Sequence, residues 1–515
     1  MPQNHREITP GFQIGVTLAF FGLGLLLLVN HEMWADEMQA WLIARDSNSW
    51  GDLFQNLRYE GHPGLWHAAL YLLSRFTPQP LAMQCLHLLL ASAAVYLFLR
   101  YAPFTRLQKI LFVFGYFPFF EYAAISRNYA LGVLLIFGFC ALKQTASAGK
   151  YLWLSGTLFL LSQTNVYALI MAMSLGATLI LEFFLKKDLR PLLAASRGEL
   201  ILSLAIFLLG LGLALMQIVP PADSGFAVGW HFAFDLGRLT HTISTIWRSY
   251  VPIPLPQYNF WDTNIITNKH LQFLLSACLV VFSLGLFTRK RITLFLYLMG
   301  TLGIFLFTYF KYPGNLRHHG HLFVLLMVCL WLSNYYPDRE MRSGWVSWFS
   351  NFAKPHQNKF LVMILSAHLI GGIIAGSADI FYPFSGSKEI ARFIKDEKMD
   401  HMIMLGDEDD YTSTVAGYLN CKLHYPCSNR YGSFIIWDQS RKTLAPAEVV
   451  KKAAQMCKQQ REDVLLILNY ELNVPETTLF LVKKAERSIL TAENFYLYIM
   501  RHPKNMKDQA KLGWR

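Results

Sequence analysis

The chain has 515 residues, 54% hydrophobic and only 16% charged, with a mean hydropathy of +0.30. A soluble protein would carry roughly a quarter charged residues, so an ordinary soluble enzyme is excluded. The net charge of +12 does not indicate a nucleic-acid binder, because Lys and Arg sit mostly in short segments between apolar runs. No nucleic-acid partner is expected.

Arg6 precedes a first apolar run, 11–30, which ends in Asn30, His31 and Glu32 rather than in small residues. That pattern predicts a retained signal anchor, not a cleaved signal peptide. Further runs that span or nearly span a bilayer lie at 82–99, 108–124, 129–143, 151–163, 166–184, 199–219, 270–288, 292–310, 320–336 and 359–378. The run 64–76 is short, follows Pro63 and contains His67, so it predicts an interfacial or re-entrant piece. With the N-terminus in the cytoplasm and 64–76 interfacial, the basic clusters all fall inside. These are Arg100/Arg106/Lys109, Lys143/Lys150, Lys186/Lys187/Arg190/Arg197, Arg289/Lys290/Arg291 and Arg339/Arg342/Lys354. If 64–76 spanned, every later cluster would face outward. The expectation is an α-helical polytopic membrane protein of about 11 transmembrane helices in the plasma (inner) membrane, with an external C-terminal domain.

The first external loop, 31–80, carries Asp36 and Glu37, with tryptophans at 34, 41, 50 and 66. Trp prefers the membrane–water boundary, which predicts an amphipathic segment lying on a membrane face. Acids at such a face are often functional, although a wet acidic side of an interfacial helix is the plainer alternative. His62 and His67 follow. A second group, Glu121, Arg127 and Tyr129, lies at the external end of the third run, as a substrate site or as an ion pair tying two spans together. A third group, Lys311, Arg317, His318, His319 and His321, lies outside against the charge bias. Arg offers a fork of donors that suits phosphate oxygens, and Lys a point charge. The histidines could instead bind metal, but adjacent ones on one turn seldom converge on one ion. No metal ligand set and no cofactor are assigned, and dependence on a divalent ion is left open. The loop 220–269 is rich in Pro, Gly and aromatics, long and irregular, and so a functional loop or a connector.

After residue 380 the pattern changes, dividing the chain into a membrane domain, 1–380, and a small external α/β domain, 381–515. The segments KEIARFIKDE, YTSTVAGYL, AEVVKKAAQM and PETTLFLVKKA predict helices. HMIMLGDE, SFIIWD, DVLLILN and NFYLYIM predict strands. No glycine-rich dinucleotide motif follows the first strand. The basic end, Arg501, Lys504, Lys507, Lys511 and Arg515, is expected as a solvated tail. Cys85, Cys140, Cys278 and Cys329 lie in apolar runs and are expected to be packing residues. Cys421 and Cys427 could form a disulfide in an oxidising compartment or remain thiols.

The order of the motifs is informative: Asp36-Glu37, then His62-Pro63-Gly64-Leu65-Trp66-His67 before a short apolar run, then Ser126-Arg127-Asn128-Tyr129. It resembles the GT-C glycosyltransferases, and within them the protein O-mannosyltransferase and lipid A aminoarabinose transferase branch. The resemblance covers about the first 185 residues. The chain departs from the family in Gly64, where a second proline is usual, and in Asn128, where Met is common. The resemblance implies a sugar donor linked to polyprenyl phosphate and transfer to a lipid, glycan or protein acceptor on the external face; attack opposite the phosphate would invert the anomeric centre. Asp36 would act as general base and Glu37 would orient it or the acceptor. Arg127, Lys311 and Arg317 would stabilise the leaving phosphate, with His62, Glu121, Tyr129, His318 and His319 lining the substrate. A secondary transporter would also be polytopic and basic inside, but the sequence shows no internal repeat and its charges cluster at one face. A non-catalytic scaffold with a binding domain would not require the acid and cation clusters.

Overall fold

A computed structural model describes residues 9–144, 149–185, 197–226, 228–341, 344–473 and 476–505. Arg6, Lys186, Lys187, Arg190, Arg342, Lys507, Lys511 and Arg515, named above, lie outside the described residues, as does Pro475 of the expected PETTLFLVKKA helix.

The first half contains α1 (Pro10–Asn30), α2 (Ala35–Asp46), α3 (Trp50–Leu57), α4 (Leu65–Ser74), α5 (Leu81–Tyr101), α6 (Arg106–Val113), a π-helical turn (Tyr116–Glu121), α7 (Tyr129–Gln144), α8 (Lys150–Ser162) and α9 (Val166–Leu185). Next come α10 (Arg197–Ile218), α11 (Leu236–Tyr250), α12 (Lys269–Phe287), α13 (Arg291–Phe310), α14 (Leu316–Ser333) and α15 (Trp345–Phe381). Among the described residues, eight helices are long and apolar enough to cross a membrane: α1, α5, α9, α10, α12, α13, α14 and α15.

Three expected spans fall short. The run 108–124 is broken after Val113, where the chain passes close to α15. A Cβ on Gly372 of α15 would lie 2.7 Å from the Phe114 carbonyl oxygen, so only glycine lets the two backbones meet. Helix α7 has 16 residues and α8 has 13, roughly 24 and 20 Å long against a hydrocarbon core of about 30 Å. All three still run between the same two ends of the bundle. At one end Leu65 N–H donates to the Gln163 carbonyl at 3.1 Å, and Gln217 Nε2 to Gln163 Oε1 at 2.8 Å. At the other, Lys109 Nζ donates to the Leu99 carbonyl at 2.7 Å, and Lys290 pairs with Asp338 at 3.1 Å.

Two readings of the loops change. Helix α2 is not a half-exposed amphipathic helix. Nine of its twelve residues are buried, between α4 and the C-terminal α/β region. Trp34, Trp41 and Trp66 are core residues, and only Trp50 is well exposed. The loop 220–269 is not wholly irregular, because Asp235 caps the N-terminus of α11 through Oδ1 and the Arg238 N–H, 2.8 Å apart.

The α/β region holds α16 (Ser387–Asp396), β1 (Ile403–Asp407), α17 (Asp409–Leu419), β2 (Leu423–Tyr425), β3 (Arg430–Gly432), α18 (Pro446–Gln460), β4 (Val464–Leu468), β5 (Leu479–Ala485) and β6 (Phe495–Met500). The sheet order is β3-β2-β1-β4-β6-β5, with β1 parallel to β2 and β4. Ile390, Ile394 and Val415 cover one face and Val449, Val450 and Ala453 the other. Two expectations fail here. The segment Leu479–Ala485 is an edge strand rather than a helix, because it pairs with β6 from Leu479 to Ala485, and short apolar runs carry no unique period. SFIIWD is not a strand; its Ile435 backbone bonds to Gln39 of α2 instead, and the sheet edge is built from β2 and β3.

Cys421 and Cys427 are both free thiols. Alkylation of the denatured, unreduced protein is therefore expected to label both. Mass spectrometry finding a peptide pair that gains the label only after reduction would contradict this arrangement.

Candidate active site

The site forms where α1 ends and α2 begins. Trp34 has no side-chain acceptor to cap α2, so Glu37 reaches back and its Oε2 accepts from the Trp34 N–H at 3.2 Å. The same oxygen accepts from His31 Nε2 at 2.9 Å, and Oε1 accepts from the Ser126 N–H at 2.5 Å. His31 Nδ1 lies 3.1 Å from Asp379 at the end of α15. Glu37, His31 and Asp379 are all at most 1% exposed. Burial works against a charge on His31, but the two flanking carboxylates outweigh it and hold its pKa well above the ordinary value. Glu37 thus has both oxygens occupied by the fold.

Its neighbour Asp36 points elsewhere. Its side chain is 37% exposed, and Oδ2 sits 3.2 Å from Arg127 Nη1 and 3.3 Å from Arg317 Nη2. Arg127 also donates to the Asp36 carbonyl at 2.6 Å. Arg317 lies between the faces of Trp34 and Trp261, 5.0 and 5.2 Å from the ring centroids. Such cation–π contacts contribute about 0.5–2 kcal/mol. Glu121 fixes this aromatic wall, since its Oε2 accepts from Trp261 Nε1 at 3.1 Å and from the Tyr116 hydroxyl at 3.0 Å. Tyr122 O–H donates to the Arg317 carbonyl at 2.7 Å. The two guanidiniums are therefore held from behind and face one shared carboxylate.

Around them lie buried polar atoms with no partner: His62 Nδ1, His67 Nδ1, the hydroxyls of Tyr129 and Tyr167, and Arg317 Nε. His62 feels the charges of Arg127, Asp36 and Arg317; burial first, then the arginines, lowers its pKa to about 4. Burial likewise lowers His67 to about 3. Both imidazoles are neutral at pH 7 and can accept or donate one hydrogen bond each. His318 accepts from the Asn315 N–H at 2.9 Å and stacks on Tyr167 with ring centroids 5.2 Å apart.

Two of the sequence-derived candidates stand apart from Asp36. Lys311 bonds the Val228 carbonyl and lies over the Trp230 ring. His319 Nε2 bonds the Pro313 carbonyl at 2.9 Å and faces His241. Among the described residues, no group of three or more His, Cys, Asp or Glu is arranged to hold a metal ion.

Sequence reasoning missed several neighbours. Glu60 accepts from Gln39 at 2.8 Å; burial, reinforced by Asp36, raises its pKa to about 7. It stands two residues before His62, just outside the His62–His67 motif but within the first loop, 31–80. Asp379 breaks the end of the last apolar run, a signal of the usual kind for a charge at a span end. Trp261 carried no signal that would separate it from the other loop aromatics.

These features define a polytopic α-helical membrane protein with a mixed α/β region packed on the site helix. Among solved structures, the chain is similar to ArnT from Cupriavidus metallidurans in the apo state, at 12% identity and a TM-score of 0.53, covering 94% of this chain and 98% of that one. It also matches that ArnT bound to undecaprenyl phosphate, at 11% identity and a TM-score of 0.49, covering 95% and 98%. The likeness is one of fold. No protein-family model matches the chain, and no curated protein matches it.

The His31 bridge generates a stability prediction. His31→Ala leaves two buried carboxylates facing each other without their shared cation, a change expected to cost about 3–5 kcal/mol. Thermal unfolding in detergent reads this directly. An unchanged midpoint would show that the bridge contributes nothing.

Proposed function

We propose that this protein is an integral membrane glycosyltransferase, moving a sugar from a polyprenyl-phosphate donor to an acceptor on the external face. The observation that carries the reading is Asp36, a partly exposed carboxylate whose Oδ2 lies against two arginines. Both closest ion-pair contacts use Oδ2, and in this reading Oδ1 serves an acceptor hydroxyl or amine. In the proposed step the acceptor heteroatom attacks the anomeric carbon and its proton passes to Asp36. The bond from that carbon to the phosphate oxygen breaks, and the polyprenyl phosphate leaves with the electron pair. Attack opposite the phosphate inverts the anomeric centre. General-base help of this kind is worth about 10²–10⁴-fold. Arg127 and Arg317 neutralise the charge that develops on the phosphate, and they are already oriented before it forms. The unpartnered imidazoles and tyrosine hydroxyls offer hydrogen bonds to sugar hydroxyls.

Glu37, in this reading, orients Asp36 by anchoring the helix turn that carries both. Lys311 and His319 belong to the approach to the site, with the 220–269 loop. The chain is proposed to cross the membrane eleven times, the three short crossings included, with the N-terminus in the cytoplasm. The Asp36 end of the bundle would then face outward with the α/β domain.

Activity measured in liposomes with a labelled lipid-linked sugar tests the chemistry. Asp36→Asn is expected to cut turnover by about 10²-fold or more while donor binding stays near normal. Arg317→Ala is expected to lower both donor affinity and turnover, the latter by about 10²-fold. Near-normal turnover in Asp36→Asn would discard the base assignment, and a protein that transfers no lipid-linked sugar would favour a scaffold.

Orientation is tested separately with an impermeant thiol reagent on intact cells. Gly198 and Gly229 lie near opposite ends of α10, and a Cβ at either meets nothing within 4 Å. Gly229→Cys should react, and Gly198→Cys only after the membrane is opened. The reverse pattern would put the Asp36 end in the cytoplasm.

A further inference from the structure

The α/β region does more than sit near the site. The Tyr418 hydroxyl oxygen accepts from the Met33 N–H at 2.8 Å, and Gln39 exchanges hydrogen bonds with the Ile435 backbone at 2.9 and 3.0 Å. Asn420 accepts from Arg45 at 2.8 Å, and Asp46 bonds Ser433. A Cβ on Gly417 of α17 would collide with Met38 of α2. Helix α2 is therefore gripped along its length by residues almost 400 positions further on.

Glu493 closes this grip at the most sensitive point. It ends the 3-10 turn Thr491–Glu493 before β6 and is fully buried. Its backbone carbonyl is held by the Gly386 N–H at 2.9 Å and the Ser488 hydroxyl at 3.2 Å. The neighbouring Ile489 and Leu490 N–H groups bond the carbonyls of Pro383 and Phe384, where the chain leaves α15. So fixed, the side chain aims at the start of α2, and Oε1 accepts from the Ala35 N–H at 2.8 Å. The first N–H groups of a helix have no partner within it. Glu37 satisfies one from inside α2; a residue 458 positions away satisfies the next. The residue that follows Ala35 is Asp36.

We infer that Glu493 is a positioning residue for Asp36: the α/β region supplies a buried carboxyl group that caps α2 and holds Asp36 in register with Arg127 and Arg317. This rests on the glycosyltransferase reading for the role of Asp36, but the cap itself does not. An ionised Glu493 would be a poor fit. Its Oε2 is buried, and the donors that reach the carboxyl are neutral, the Ala35 N–H and the Ser385 hydroxyl. It faces Asp36 and Glu37 from α2, Tyr411 and Tyr418 from α17, and the neutral Ser385. No cation is among these groups. Burial first, and then the charges of Asp36 and Glu37, raise its pKa to about 8. A neutral acid still accepts the Ala35 hydrogen bond and adds no third charge beside the pair. Above that pH the group ionises, and repulsion from Asp36 and Glu37 works against the cap.

The test uses the full-length protein in liposomes, with Glu493→Gln and Glu493→Ala compared by hydrogen exchange over residues 33–46 and by transfer rate against pH. Glu493→Ala should raise exchange at the start of α2 and lower kcat by about 10²-fold, the scale of a misplacement near 1 Å, with the donor KM changed little. Glu493→Gln keeps the acceptor oxygen and cannot ionise. It should keep wild-type exchange and rate at pH 7 and lack the decline expected of the wild type above about pH 8. Unchanged exchange and rate in Glu493→Ala would overturn the inference. A folded Glu493→Gln that loses as much rate as Glu493→Ala would overturn it too, since the ionisable acid itself would then be needed. Exchange is read without substrate, so it separates the two readings. Loosening of α2 in Glu493→Ala, in a protein that transfers no sugar, would overturn the transferase reading and leave the cap standing.

Discussion

A buried carboxylate must find a cation or hydrogen-bond donors, and Glu37 finds them in three parts of the chain. It joins the end of α1 through His31, the start of α2 through the Trp34 amide, and the 126 loop through Ser126; His31 carries the link on to Asp379 of α15. Removing any one partner would leave charge stranded where water does not reach, at a cost of several kcal/mol. This end of the bundle is therefore drawn together around one side chain. Asp36 is free to face the open side because its neighbour is not.

That division of labour was partly legible in the sequence. The adjacent acids, their place after the first apolar run, and the Arg127 and Arg317 groups could all be read, and the three do meet. Composition and apolar run lengths were enough to identify a multi-span membrane protein with an α/β tail. What could not be read was which acid of the pair would be consumed by the fold. Successive helical positions point about 100° apart, so different surroundings follow from the pattern, but the identity of those surroundings depends on Asp379, some 340 residues away in sequence. Tryptophan misled for a related reason. The same ring that favours a membrane boundary also fills a core, and Trp41 and Trp66 were drawn inside once the α/β region covered α2.

The short apolar helices show where length arguments lose their force. Helices α7 and α8 are too brief to span alone, yet both are packed against longer neighbours, α7 on α5 and α8 on α10. A helix shielded by protein need not match the lipid thickness by itself, because its exposed backbone ends can be satisfied by other segments. The break after Val113 has the same logic. Close approach to α15 at Gly372 replaces helix hydrogen bonds with packing, and the chain resumes as a π-helical turn that delivers Glu121 to Trp261. The strand at Leu479–Ala485 was misread because alternation and helical spacing look alike over seven residues, and its partner β6 decides the matter.

The hydrogen bond between Ala35 and Glu493 also has a meaning in time. During translation Ala35, beside Asp36, emerges 458 residues before the residue that caps its helix. A nascent chain stalled anywhere between them can thread its helices into the bilayer and still lack an ordered start to α2. The start of α2 is thus completed only after the α/β region has been made through Glu493.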